Sequence, residues 1–289
     1  MVCMMASRTS PTLLRRQLGA ELRRLRERAG RTVADMVAGL GWSSSKLSRI
    51  ETATIGISGP DLERLLTEYG VGDKERARLL ALRVQARQRA WWEAYGDVLP
   101  DAYETLIGFE TEAKAISTYE AQVVPGLLQT DEYAKAVTQA DGIYEDPDVL
   151  GQRVAVRMAR QSVLTRDPPP ILSVVLDEAV LRRLIGGRQV LHRQLLRLLE
   201  AGERPTVTIQ VLPFEAGAHR ALAGSFIILE FGDGTDQPLV YSEGMTGGVF
   251  RSRPDEVRSY QTSFEALREA ALSPGQSTDL IRALADDNQ

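Results

Sequence analysis

The stretch TVADMVAGLGWSSSKLSRIE, residues 32–51, is the part of the chain that leaves the fewest structural options. Thr32 stands three residues before Asp35, a capping-box variant in which each side chain satisfies a backbone N–H of the other. The helix this opens runs to about Leu40 and stops at Gly41, a residue that enters a left-handed turn without steric cost. Ser43 then caps a second short helix over 44–51. Val37 and Leu47 are placed to pack the two helices together, and Met36, Leu40 and Ile50 complete the internal face.

The flanking sequence supplies the remaining helices. Leu14, Leu18, Leu22 and Leu25 form one apolar stripe over 12–29, with most of the arginines off it, and Gly30 ends the helix. Ser58-Gly59-Pro60-Asp61 opens a fourth helix that ends near Tyr69-Gly70, and Asp73 starts a fifth, charged one that runs towards Arg89. Five helices without a strand pattern predict a compact all-α domain over 12–90, preceded by a disordered tail at 1–11.

From Ala90 the character changes. Trp91, Trp92 and Tyr95 crowd ahead of Gly96 and Pro100, as in a linker or docking segment buried between domains. Helical patterns follow at 101–118, 130–141, 147–165 and 177–201, and again at 254–271 and 277–285. Strand patterns fall at 171–176, 206–212, 225–231 and 239–242, the last two flanking a Gly232-Asp233-Gly234 turn. The expected architecture is therefore multidomain: an all-α five-helix domain, then an α+β domain over 91–289 with one mixed sheet.

Composition sharpens this division. The whole chain carries a net charge of −4, but residues 1–90 hold 17 Lys and Arg against 9 Asp and Glu, whereas the rest hold 18 against 30. A basic module (+8) joined to an acidic one (−12) suits a chain whose first part meets a polyanion. No apolar run is long enough to span a bilayer, and the N-terminus lacks the apolar core of a signal peptide. One cysteine, Cys3, allows no intrachain disulfide, so a cytoplasmic protein is expected.

A helix-turn-helix that reads double-stranded DNA needs one helix across the backbone, a tight turn, and a second helix whose N-terminal residues meet base edges. Here the outward face of the second helix is Ser44, Ser45, Lys46, Ser48 and Arg49. Short hydroxyls permit close approach to a groove, and the two cations suit a guanine edge or a phosphate. Thr32 and Ser43 act first as caps, but the helix N-termini they close also attract phosphate. Arg15, Arg16 and Arg31 are further phosphate candidates. Glu51 is expected to pair with an arginine or cap a neighbouring helix.

Residues 12–70, with LGAELRRLRERAG followed by the motif above, resemble an Xre-type (Cro/C1-type) helix-turn-helix domain. The remainder is similar to the toxin–antitoxin-like companion domain of actinobacterial transcriptional regulators, through TYEAQVVPGLLQTDEYAKAV, RMARQSVLTR, VVLDEAVLRRLIGG and VTIQVLPFEAGAHRALAGSFIILEF. The resemblance implies that the second helix enters the major groove, with Ser44, Ser45, Lys46 and Arg49 facing bases and phosphates. It also implies a small neighbour-encoded protein as a possible partner of the second domain. The sequence departs from the family pattern at Val37, where a small residue is usual, and at the position two residues after Glu51, where a glycine is usual.

The expected function is a sequence-specific regulator that binds as a homodimer to two half-sites, with the acidic domain providing dimerisation and regulatory input. The alternative is an antitoxin-type interaction protein that sequesters its partner and autoregulates its operon. Catalysis is not expected. With His192 and His219 the only histidines and Cys3 in the tail, a Cys/His zinc site is ruled out by inventory. No phosphate-cradling loop or nucleophile elbow is present, and no cofactor is implied. Asp177, Glu178 and Glu230 at strand ends read as caps or solvated residues, and the loop around His219 as a surface that could meet a partner.

Overall fold

A computed structural model describes residues 11–86, 98–140, 142, 146–232, 237–245 and 247–289. The tail with Cys3, the Trp91-Trp92-Tyr95 segment and the Asp233-Gly234 turn lie outside the described residues. The chain divides into two compact units, one comprising 1–96 with 101–112 and the other 97–100 with 113–289.

The first unit is helical. Its elements are α1 (Pro11–Arg28), α2 (Val33–Leu40), α3 (Ser44–Glu51), α4 (Gly59–Glu68), α5 (Asp73–Gln85) and α6 (Asp101–Glu112). The leucine stripe of α1 is the centre of the core: Leu18, Leu22 and Leu25 are buried with Met36, Leu40, Leu47, Ile50, Leu62, Leu65, Leu66 and Leu79. Val37 is only half-buried, so the expectation that it packs α2 against α3 falls to Met36 and Leu40 instead. Helix α1 also makes a backbone approach. A Cβ placed on Gly19 would lie 2.7 Å from the carbonyl oxygen of Ile50 and 2.8 Å from that of Glu51, so only glycine lets α1 pass this close to the end of α3.

The second unit is α+β around one six-stranded sheet. Its strands are β1 (Ala115–Glu120), β2 (Ile171–Asp177), β3 (Val207–Leu212), β4 (Phe226–Glu230), β5 (Leu239–Gly244) and β6 (Gly247–Arg251), in the order β3-β2-β1-β4-β5-β6. β1, β2 and β3 run parallel, and the sheet continues with antiparallel pairs, β4 against β1, β5 against β4 and β6 against β5. The helices are α7 (Asp131–Ala140), α8 (Pro147–Arg160), α9 (Glu178–Arg182), α10 (Arg188–Gly202), α11 (Pro254–Ala270) and α12 (Pro274–Asp286). Val257, Phe264 and Leu267 of α11 share a core with Tyr119, Val175, Phe226, Ile228 and Val240 of the sheet. Helices α10 and α12 pack against each other and against β3.

Two local expectations are corrected, and a strand that the sequence reading did not include, β6, is added. The helix over 101–118 ends at Glu112, and residues 115–118 instead open β1, a central strand bonded on both sides. The single helix over 177–201 is broken into α9 and α10 by Gly186 and Gly187, both at positive φ. β6 begins with two glycines and carries little strand propensity of its own. It exists because β5 pairs with it from Val240↔Arg251 to Gly244↔Gly247.

Two of the segments that carry the family resemblance meet in this unit. The Gln161 amide donates to the carbonyls of Gly126 and Gln129, at 3.1 and 2.7 Å, and Arg157 donates to the Gln129 side chain at 3.0 Å. The loop after β1 is thereby tied through its carbonyls to the C-terminal end of α8 and the residue that follows it.

Candidate nucleic-acid interface

The helix-turn-helix is built from its caps outward. Thr32 Oγ1 accepts from the Asp35 amide at 3.1 Å, and the Thr32 amide donates to Asp35 Oδ2 at 2.7 Å, a complete capping box. The Thr32 hydroxyl and amide hold the Asp35 carboxyl below the usual carboxylate range. Gly41 closes α2 in the left-handed region (φ 67°) and donates its N–H to the Val37 carbonyl at 3.0 Å. Two residues later Ser43 Oγ accepts from the Lys46 amide at 3.1 Å and caps α3.

With both ends fixed, Leu47 and Ile50 anchor one side of α3 in the core, at 0% and 3% exposure. Ser44, Ser45 and Ser48 are exposed on the other side. Lys46 and Arg49 lie with them but are engaged. The Lys46 ammonium sits 3.0 Å from Asp61 Oδ2 and 4.1 Å from the centre of the Trp42 ring, a combined ion pair and cation–π contact. Partial burial pushes the Asp61 carboxyl up, but the hydrogen bonds with Lys46 and Ser58 outweigh it and hold the group below its ordinary range. The Arg49 guanidinium pairs with the Asp101 carboxylate at the start of α6. The side chains of Lys46 and Arg49 remain 37% and 43% exposed, so both still face solvent.

The end of α3 is fixed by a buried pair. Arg26 Nε and Nη2 donate to the two carboxylate oxygens of Glu51, at 2.6 and 2.9 Å, and Nη1 donates to the Arg31 carbonyl at 3.0 Å. Glu51 thus pairs with an arginine, and the pair ties α1 to α3. Just beyond, Ala53 adopts φ 60° although it has a side chain, and is 2% exposed. This is the position where the family pattern has glycine, and the left-handed backbone costs an L-residue about 1–2 kcal/mol.

Of the phosphate candidates, Arg31 is exposed, Arg15 is half-buried, and Arg16 lies 5.9 Å over the Phe109 ring of α6. Sequence reasoning missed Trp42, Asp61 and Asp101. The two carboxylates reach their cations across 15 and 52 residues, and no local spacing announces such pairs. Elsewhere, Asp177 caps α9, Glu178 accepts from the Phe214 amide and from Arg182, and Glu230 accepts from Gln261. The His219 ring and Asp177 each stand 3.4 Å from the buried Tyr119 hydroxyl. Among the described residues no cluster of three or more His, Cys, Asp or Glu is arranged to hold a metal, and no helix is long and apolar enough to cross a membrane.

Two capped helices joined by a left-handed glycine, the second with a polar outer face, define a helix-turn-helix, the DNA-reading unit of many transcription regulators. A helix-turn-helix domain model matches residues 17–79. A second model matches residues 103–283, more than half of the chain, and the protein belongs to that family, described as Domain of unknown function (DUF5753). No curated protein and no solved structure gives a significant match.

Proposed function

We propose that the protein is a sequence-specific transcriptional regulator of the Xre type that lays α3 in the major groove of double-stranded DNA. The observation that carries this reading is the two-sidedness of α3: Leu47 and Ile50 fix it to the core while Ser44, Ser45 and Ser48 stand clear on the opposite side. Ser44 and Ser45 lie in its first turn, the part of a recognition helix that meets base edges. Ser48, Lys46 and Arg49 supply further polar reach to bases or phosphates. Thr32 and Ser43 put the N-termini of α2 and α3 where backbone N–H groups attract phosphate.

In this reading the protein works in the cytoplasm as a homodimer. A domain of this size contacts few base pairs, and two half-sites one helical turn apart provide the affinity that one lacks. The family domain supplies dimerisation and regulatory input without a catalytic step. The test is selection of duplexes from a random pool by the full-length protein, followed by binding of the selected DNA to the Lys46→Ala/Arg49→Ala double variant. A palindromic selected site, with binding lost in the variant and thermal unfolding nearly unchanged, is the expected result. Equal loss of fold and of binding would make both side chains structural. Selection of no sequence, together with co-purification of a small neighbour-encoded protein, would instead favour the antitoxin-type reading.

A further inference from the structure

We infer that α6 is a brake on DNA engagement and that Asp101 is the residue that applies it. The inference rests on the reading of α3 as the DNA-contacting helix. Asp101, Thr105 and Phe109 recur every four residues and so lie along one face of α6. Each meets another part of the helical unit, at α3, the loop after it, or α1. The Asp101 carboxylate pairs with Arg49, the Thr105 hydroxyl is shared between the Asp101 carbonyl of its own helix at 2.8 Å and the Thr54 carbonyl at 3.1 Å, and the Phe109 ring lies under the Arg16 guanidinium. Thr105 and Phe109 are buried, at 5% and 0% exposure, so this face is seated rather than merely passing by. Its first residue reaches the last turn of α3 and its next reaches the loop after it.

The consequence is electrostatic. A phosphate approaching Arg49 finds the guanidinium already holding a carboxylate and meets that carboxylate's negative charge well within a Debye length. Asp101 is 65% exposed and Arg49 43%, so the pair is exchangeable. It lowers affinity without forbidding binding. Only residues 113 and 114 separate α6 from β1, the strand on which the DUF5753 sheet is centred. The brake is therefore covalently continuous with the domain that would receive a signal, and drawing α6 away would release Arg49.

The test compares wild type, Asp101→Asn, Arg49→Ala and the Asp101→Asn/Arg49→Ala double variant as full-length proteins. Each is titrated with random-sequence duplex DNA over a series of KCl concentrations, with a thermal melt as the folding control. Asp101→Asn keeps the shape and removes the charge, and it is expected to bind about two- to five-fold tighter at low salt. Its plot of log affinity against log salt should steepen by about 0.9, the share of one extra phosphate contact. Both gains should vanish in the double variant. Unchanged or weaker binding by Asp101→Asn, while Arg49→Ala weakens it, overturns the brake and leaves the DNA face standing. A gain that survives in the double variant also overturns it, since the effect is then one of net charge alone. If Arg49→Ala binds as wild type does and Asp101→Asn gains nothing over wild type, the assignment of Arg49 to the DNA face falls and the brake falls with it.

Discussion

Glu51→Ala should unfasten the recognition helix from inside. The Arg26 and Glu51 side chains are 10% and 6% exposed, and two hydrogen bonds of 2.6 and 2.9 Å join them. Removing one member of a buried pair leaves an uncompensated charge and costs about 3–5 kcal/mol. Arg26 would keep its bond to the Arg31 carbonyl and the Glu27 carboxylate at 3.8 Å, which favours the lower end, about 3 kcal/mol. Because Arg26 sits on α1 and Glu51 at the end of α3, the loss falls on the contact that orients α3. Hydrogen exchange of the intact chain, read by mass spectrometry for the α1 and α3 amides, measures it directly. A loss of about 3 kcal/mol speeds exchange roughly 100-fold for amides that open with the helical unit. The double replacement Arg26→Met/Glu51→Leu removes both charges and keeps volume, so it should recover most of the protection. Near-native exchange in Glu51→Ala, or a double variant as unprotected as the single one, would refute the reasoning.

Gly19→Ala should destabilise the same junction sterically. Its methyl group would meet two backbone carbonyls that cannot rotate away, at an expected cost of about 1–3 kcal/mol, and an unchanged melting temperature would contradict the close approach. In the second unit, burial pushes the Glu120 carboxyl up to about 7, with Glu243 adding to the rise and hydrogen bonds with Ser225 and Thr118 and the charge of Arg160 opposing it. The folded state thus holds a proton that the unfolded chain releases near pH 4.5. Stability attributable to this group is therefore highest at low pH, falls as pH rises towards 7, and is level above that. Glu120→Gln should flatten that slope and stabilise the protein at pH 8 by about 1–3 kcal/mol, measured by urea unfolding across pH. A slope unchanged by the substitution would place the proton elsewhere.

How far the sequence reaches is clearest at particular residues. Thr32 with Asp35, Gly41, Ser43 and Ser58 stand where the caps and the turn are found, because capping is decided within three or four residues of chain. The leucine period of α1 is equally local, since one helix face repeats every three or four positions. Even the absent glycine after Glu51 was legible as a departure, and Ala53 meets it by taking the left-handed backbone itself.

What local pattern could not decide depends on partners distant in the chain. Residues 115–118 read as the end of a helix, yet they belong to a strand because β2 and β4 bond to it from both sides. Likewise, Lys46 and Arg49 are visible as the two cations of α3, but their engagement by Asp61 and Asp101 arises only when α4 and α6 fold against it. Caps, turns and helix periods are written in neighbouring residues. Strand pairing and the neutralisation of a charge belong to whichever distant groups the fold brings within a few ångströms, and Coulomb's law responds to that distance rather than to separation along the chain.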